Sequence, residues 1–100
     1  MANIGNMMKQ AEALQRNMQK AQEEIGRMEV TGESGGGMVK VTMTGKHEVK
    51  RVQIEPAVIG EDREMLEDLI AAAINDAVRR VETQSQQRMS ELMSGLRLPP

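Results

Sequence analysis

The chain contains no cysteine and no Phe, Tyr or Trp among its 100 residues. Without cysteine it has no disulfide framework, no thiolate metal site and no cysteine nucleophile. Without aromatic rings it lacks the stacking platforms on which RNA-recognition and single-strand-binding modules hold bases. No apolar run approaches the roughly 20 residues that a bilayer-spanning helix requires. These absences predict a soluble intracellular protein and weigh against recognition of single-stranded nucleic acid.

Residues that could perform catalysis or hold a metal ion are few. His47 is the single histidine, and no second histidine or cysteine accompanies it to complete a metal site. The acids between Glu61 and Asp68 lack the alternating D-x-D-x-D-G loop of a calcium site and are typical of the solvated first turn of a helix. No catalytic constellation remains. We therefore expect no enzymatic activity, metal, cofactor or small-molecule substrate.

The sequence Gly35-Gly36-Gly37 suggests either a phosphate-binding loop or a turn between strands. A phosphate-binding glycine loop leads directly into a helix N-terminus, whose free N–H groups meet the anion. Here the glycines lead into Met38-Val39-Lys40-Val41, which alternates like a β-strand, and the spacing of a P-loop is absent. The pattern therefore favours a flexible hairpin connection.

An unbroken apolar heptad occupies the first quarter of the chain, with polar residues of good helix propensity between its members. Spacings of three and four residues predict a long helix over residues 4–28, with a narrow seam of the kind found in coiled coils. Asn3 or Asn6 is expected to cap its start. The predicted seam, which we assign to the core or to a dimer contact, consists of Ile4, Met7, Ala11, Leu14, Met18, Ala21 and Ile25, with Met28 continuing it.

Short alternating segments and a second periodic region follow. Strands are predicted at 28–33, 38–44 and 47–54. A second long helix is predicted to open at Gly60-Glu61-Asp62 and to end at Gly95. The apolar face of this helix consists of Leu66, Leu69, Ile70, Ala73, Ile74, Ala77, Val78 and Val81. The order predicts one α+β domain over residues 1–100: a long N-terminal helix, a three-stranded antiparallel meander and a long C-terminal helix. Residues 94–100 are expected to be a flexible tail.

The turn between the second and third strands determines which residues share a face. Gly45 can supply the positive φ of a two-residue loop at 45–46, which pairs Val39 with Val52 and places the valines and Ile54 together. A three-residue loop would turn Val52 and Ile54 to the opposite face, because side chains alternate along a strand. Burial of the apolar residues therefore favours the two-residue loop.

The net charge of −2 conceals an uneven charge distribution. Residues 55–76 carry seven acids and one base, whereas basic residues dominate 35–54 and 77–100. In the predicted register Lys40 and Arg51 lie opposite each other, and like charges in such positions destabilise a sheet. Two explanations stay open: this face meets a helix carboxylate such as Glu23 or Glu24, or it meets a polyanion.

Four segments, taken in order, resemble the YbaB/EbfC family of bacterial nucleoid-associated proteins. They read "MMKQAEALQRNMQKAQEEI", "EVTGESGGGMVKVTMTGKHEVKRVQIEP", "EMLEDLIAAAINDAVRRVE" and "GLRLPP". The resemblance implies homodimers with protruding helices, described as tweezers, that bind double-stranded DNA with limited sequence preference. It also implies a cytoplasmic, nucleoid-associated location and a role in nucleoid organisation, gene expression, recombination or repair. A helix of about 25 residues is roughly 38 Å long, so both helices should overhang a small sheet and favour a two-fold dimer.

Charge placement alone supplies the candidate DNA contacts, because lysine and arginine bind phosphates without reading bases. The first-rank candidates are Lys9, Arg16, Lys20, Arg79, Arg80 and Arg88. The second-rank candidates are Lys40, Lys46, Lys50 and Arg51. The alternative function is a coiled-coil-like interaction adaptor or small chaperone that uses the methionine-bearing helical face and binds no nucleic acid.

Overall fold

The computed structural model describes residues 3–60 and 62–95. In chain order its elements are α1 (Ile4–Arg27), β1 (Glu29–Ser34), β2 (Val39–Thr44), β3 (Val49–Ile54) and α2 (Arg63–Gly95). The strands form one antiparallel sheet in the order β1-β2-β3. The predicted α-β-β-β-α fold is therefore confirmed. Within the described ranges no helix is long and apolar enough to cross a membrane.

The ends of the helices follow from local side-chain chemistry. Asn3 caps α1, and its Oδ1 accepts the N–H of Asn6 at 3.3 Å. At the start of α2, Oδ1 of Asp62 accepts the N–H of Met65 at 3.2 Å. Glu61, predicted for this first turn, lies outside the described residues. So does the predicted tail, apart from Ser94 and Gly95, which continue α2.

The core lies between α2 and the inner face of β1 and β2. Its fully enclosed side chains include Val39, Val41 and Met43 from β2 and Val81 from α2. Helix and sheet approach closely at Gly32, where an added Cβ would lie 2.6 Å from the Cα of Ala77. Such a contact excludes any side chain at this position, so alanines on the helix and glycine on the strand allow α2 to lie directly on β1. The core cluster consists of Val30, Val39, Val41, Met43, Ala73, Ala77 and Val81.

The predicted hairpin register is wrong. The structure pairs Val39 with Ile54 and Val41 with Val52. Residues 45–48 separate β2 from β3, and because the N–H of Thr44 donates to the carbonyl of Glu48 at 2.9 Å, the loop closed by that pair has three residues, 45–47. A bulge at Lys50 adds one residue to β3 and returns Val52 and Ile54 to the face of the β2 valines. A three-residue loop and apolar alternation are thus compatible, because the bulge reverses the alternation once within the strand.

Glycine is required at position 45 for a different reason from the one predicted. The positive φ in this turn belongs to His47, at 64°, whereas Gly45 is not among the glycines with positive φ. Gly45 is required because its Cα lies against the carbonyl oxygen of Ile25, where a side chain would overlap α1. The turn therefore rests on the last turn of α1.

The long helices run antiparallel past the end of the sheet. Glu24 of α1 binds Arg88 of α2 at 2.7 Å, and Met18, earlier in α1, shares a groove with Leu92, later in α2. The described chain measures 74 × 22 × 15 Å, far longer than its core. Residues 4–16, which we call the arm, are exposed at every position except Ala13, which is half-buried. The prediction that both helices overhang the sheet is confirmed.

Candidate nucleic-acid interface

A row of basic residues follows the outer side of α1. Lys9, Arg16, Lys20 and Arg27 are all exposed, and each lies two residues after a seam residue. Two residues correspond to about 200° of rotation around a helix, so this basic row lies opposite the apolar seam. None of the ion pairs within residues 3–60 and 62–95 involves a member of the row. Its charge is therefore available to an anionic partner.

The second basic group, on α2, is organised around one carboxylate. Oδ2 of Asp76 accepts hydrogen bonds from the backbone N–H of Glu33 and from Nε of Arg80, both at 2.9 Å. Nη2 of Arg79 lies 3.8 Å from Oδ1 of the same carboxylate. The N–H of Glu33, followed by Arg80, holds the pKa of Asp76 below its ordinary value. The carboxylate is thus ionised at neutral pH and anchors both arginines beside the edge of β1.

Arg88 joins the two helices. One guanidinium nitrogen donates to Glu24 of α1 at 2.7 Å and another donates to Glu91 of α2 at 3.4 Å. The Glu24 carboxylate, followed by Glu91, raises the pKa of Arg88 above its ordinary value. Arg88 therefore stabilises the antiparallel helix pair, and two carboxylates already balance its charge. Although its side chain is 47% exposed, this first-rank candidate is already paired with two carboxylates of the described chain.

The second-rank candidates are spread over the sheet and its turn. Lys40 lies opposite Gln53, and Arg51 lies opposite Thr42, so the predicted juxtaposition of Lys40 with Arg51 does not occur. The bulge residue Lys50 donates to Glu29 of β1 at 2.6 Å, across the outer face. That carboxylate comes from the sheet itself. Glu24, one of the helix acids considered for this role, binds Arg88 instead.

Lys46 lies at the junction of the hairpin with α1. Its side-chain stem covers Gly26, with Cε 3.1 Å from the position of an added Cβ. An open polar cleft of about 780 Å³ separates this turn from α1, and Arg27 and Lys46 line it together with Glu23 and Glu48. Equal numbers of both charges make this cleft a poor phosphate site. The structure therefore brings the second-rank residues together less well than it does the α1 row or the Asp76 cluster.

The predicted seam divides into two parts. Ala21 is buried and Met18 and Ile25 are half-buried, so this part belongs to the fold. In the arm, the seam is open, and Ile4 and Leu14 are 69% and 44% exposed. The remaining arm members of the predicted seam, Met7 and Ala11, are also exposed.

Sequence reasoning missed two features of these surfaces. The first is the role of Asp76, although a carboxylate three and four residues before two arginines is a readable helix signal. The second is an uncovered apolar surface on β3, where Val49 and Val52 are 45% and 42% exposed beside the core. No sequence signal identified it, because α2 covers β1 and β2 and leaves the inner face of β3 open.

The glycine-rich connection is a short turn from Gly35 to Gly37 in which all three residues have positive φ, the left-handed region that favours glycine. It leads into β2 and not into a helix, as the hairpin interpretation predicts.

The described residues contain no group of three His, Cys, Asp or Glu side chains able to hold a metal ion. The exposed basic residues of α1 and α2 are the feature of these surfaces that suits an anionic partner.

Two comparisons, one of sequence and one of fold, relate the chain to known proteins. A sequence model described as the YbaB/EbfC DNA-binding family matches residues 1–96. The fold also matches the crystal structure of an uncharacterized protein, HP0035 from Helicobacter pylori, with a TM-score of 0.74. The two chains share 22% sequence identity over 93% of this chain and 99% of the other. At that identity the likeness shows the fold alone.

Proposed function

The chain belongs to the YbaB/EbfC DNA-binding family, and from that premise we propose that it binds double-stranded DNA as a homodimer, through the phosphate backbone and with limited sequence specificity. The observation that carries this proposal is the exposed basic row of Lys9, Arg16, Lys20 and Arg27. Lysine and arginine contacts to phosphate fix a protein on a duplex without reading its bases. The protein as a whole has a net charge of −2, so binding depends on this local concentration of charge.

Binding through helices suits double-stranded DNA better than single strands. The chain has no aromatic residue on which a base could stack. Two arms related by a two-fold axis would present the basic row twice and could hold a duplex between them. We place the protein at the nucleoid of the cytoplasm, where it would act on nucleoid organisation, gene expression, recombination or repair. We treat residues 1–100 as one DNA-binding domain.

The second copy is supported by apolar surface that one chain leaves uncovered. Val49 and Val52 lie on the inner face of β3, next to the half-buried Ile54 of the same core. Surface continuous with a hydrophobic core is costly to leave in water, at about 25 cal/mol for each Å². We propose that a second copy covers this surface and that the arm seam at Leu14 contributes a smaller contact. Covering β3 would leave the basic row on the outside of both arms.

The other candidate function is an interaction adaptor or small chaperone. It is favoured by the apolar side chains exposed on the arm, where Met7 and Met8 are 62% and 61% exposed. Methionine adapts its shape to varied apolar partners. An adaptor of this kind would use the same helix but the opposite side, and it would have no need of the basic row.

A salt series of DNA-binding measurements separates the two. The protein is titrated into several unrelated fluorescent duplexes between 50 and 300 mM salt. If about four to six phosphates are contacted, log affinity falls against log salt with a slope of about −4 to −5, since each contact contributes about −0.9. Similar affinities for unrelated duplexes support backbone recognition. Absence of binding at the lowest salt would refute the proposal and leave the adaptor.

A further inference from the structure

We infer that Asp76 is a positioning residue that limits how strongly Arg79 and Arg80 bind phosphate. This inference rests on the proposed function, because it concerns the strength of the same DNA contact. Within the described chain both arginines are paired to this one carboxylate, at 3.8 Å and 2.9 Å. The three side chains together present a single net positive charge instead of two.

The carboxylate is fixed in place by something other than the arginines. Its Oδ2 accepts the backbone N–H of Glu33 at 2.9 Å, and that N–H lies on the outer edge of β1, which no further strand of the described chain covers. A bare strand edge is an open template for pairing with another chain, and proteins commonly block such edges. Asp76 therefore has a structural reason to remain charged and beside the arginines, whether or not DNA is present.

This arrangement makes the arginine pair weaker than its sequence suggests. A phosphate approaching Arg80 must compete with a carboxylate held in place by β1, and it meets the negative charge of that carboxylate at short range. The side chain of Asp76 is 23% exposed, whereas those of Arg79 and Arg80 are 69% and 50% exposed. The guanidinium groups therefore reach solvent while their restraining charge stays behind them.

The test removes the negative charge of residue 76 and keeps its hydrogen-bond acceptor. In Asp76→Asn the side-chain oxygen still accepts the N–H of Glu33, and both arginines lose their charged partner. We expect duplex affinity at 50 mM salt to rise about threefold to tenfold, and the salt slope to steepen by about 0.9 for each protomer that gains a phosphate contact. Asp68→Asn is the matched control, because it removes the same charge from an exposed position earlier in α2.

The direction of the change distinguishes this role from a purely structural one. If Asp76 served only the fold, its replacement would leave binding unchanged or weaken it. Equal or weaker binding by folded Asp76→Asn, with an unchanged salt slope, would overturn the inference. An equal gain in Asp68→Asn would also overturn it, since the effect would then be one of net charge. Failure of the wild-type protein to bind any duplex would refute the proposed function itself.

A second variant keeps the inference testable if Asp76→Asn does not fold. Thr83 is exposed and shares a surface depression with Arg79 and Arg80. Thr83→Asp adds a second restraining carboxylate, four and three residues after the two arginines. We expect it to weaken duplex binding about threefold to tenfold and to flatten the salt slope, relative to the neutral Thr83→Asn. Equal binding by the two Thr83 variants would overturn the inference.

Discussion

Gly45, in the turn between β2 and β3, lies directly against the main-chain carbonyl of Ile25 in the last turn of α1. The N–H of Gly45 donates to the carbonyl of Met28 at 2.9 Å, which fastens the turn to the residue that follows α1. The stem of Lys46 covers Gly26 on the same helix turn. The β2–β3 hairpin thus supports the C-terminal end of α1. The direction of the arm therefore depends on Gly45, which is distant from the arm in sequence.

Gly45→Ala should destabilise the protein strongly. The new Cβ overlaps backbone atoms of Ile25, which cannot turn aside as a side chain can, so α1 or the hairpin must move. We expect a loss of about 3 kcal/mol or more in the free energy of unfolding, at the upper end of the cost of overpacking. Urea unfolding followed by circular dichroism measures this loss. Gly5→Ala is the matched control, because its Cβ makes only an ordinary 3.4 Å contact and should leave stability equal or slightly higher. Equal stability of the two variants would contradict the close contact.

The elements of this fold could be predicted because their signals are local. The heptad of α1, the alternation of β2 and the cap at Asn3 each depend on neighbours within a few residues, and each is present in the structure. The register of β3 could not be predicted in the same way. It depends on the bulge at Lys50, and a bulge leaves no mark in a strand of only six residues.

The candidate site was predictable only as a set of charges. Helical spacing places Lys9 and Arg16 on one side of α1 from sequence alone, and the structure leaves them exposed. The partner of Arg88 was not predictable, because Glu24 is 64 residues away and meets it only through the crossing of two helices. Long-range pairing of this kind depends on tertiary geometry. The sequence therefore could not show which basic residues are exposed to a partner and which are held in ion pairs within the fold.

Val52→Glu should dissociate the proposed homodimer. In a dimer that covers the inner face of β3, this substitution would bury an unpaired carboxylate, whose cost is several kcal/mol. Sedimentation at micromolar concentration should give about twice the 11.1 kDa chain mass for the wild type and the single-chain mass for the variant. Gln53→Glu is the control, because it adds the same charge to the outer face of the same strand. A dimeric Val52→Glu protein would move the interface elsewhere.

The seam of the arm is tested with a parallel pair. Leu14→Glu changes a seam residue, and Gln15→Glu places the same charge on the next position of α1. Since Leu14 lies on the exposed arm and not beside the core, we expect Leu14→Glu to weaken the dimer less than Val52→Glu does, by about tenfold or less in dissociation constant. Complete dissociation by Leu14→Glu, with Val52→Glu still dimeric, would make the arm the principal interface.

Nucleotides should not bind at Gly35-Gly36-Gly37. These glycines form a turn with positive φ before a strand, and β2, not a helix N-terminus, follows them. Calorimetric titration with ATP or GTP in the presence of magnesium should therefore show no saturable heat. A one-to-one isotherm at micromolar affinity would return a phosphate-binding loop to consideration.

The contribution of Asp76 to stability should depend on pH in the acid range. Its pKa in the folded protein lies below the ordinary value of 3.8, so the folded state favours the ionised form. The resulting stabilisation is fully present above the unfolded pKa and is lost as pH falls through the folded pKa. The difference in melting temperature between the wild type and Asp76→Asn should thus be largest between about pH 5 and pH 7 and should shrink below about pH 3.8. A difference that stays constant across this range would show that the charge of Asp76, with Arg79, Arg80 and Glu33 around it, does not stabilise the fold.

Replacement of Arg79 and Arg80 together by alanine should weaken binding to every duplex by a similar factor. Phosphate contacts carry no base identity, so unrelated sequences lose the same interaction. The salt slope should also flatten, by about 0.9 for each contact removed.

Both side chains lie on the exposed side of α2, and Asp76 can still accept the N–H of Glu33, so circular dichroism should show a folded protein. Arg63→Ala is the charge control, because it removes a cation from the opposite, acidic end of the same helix, where its side chain is 93% exposed. If the double variant folds and keeps the wild-type salt slope, then Arg79 and Arg80 serve only to neutralise Asp76. In that outcome the duplex would bind to the α1 row, and joint replacement of all four of its members would be the variant that abolishes binding. These members are Lys9, Arg16, Lys20 and Arg27.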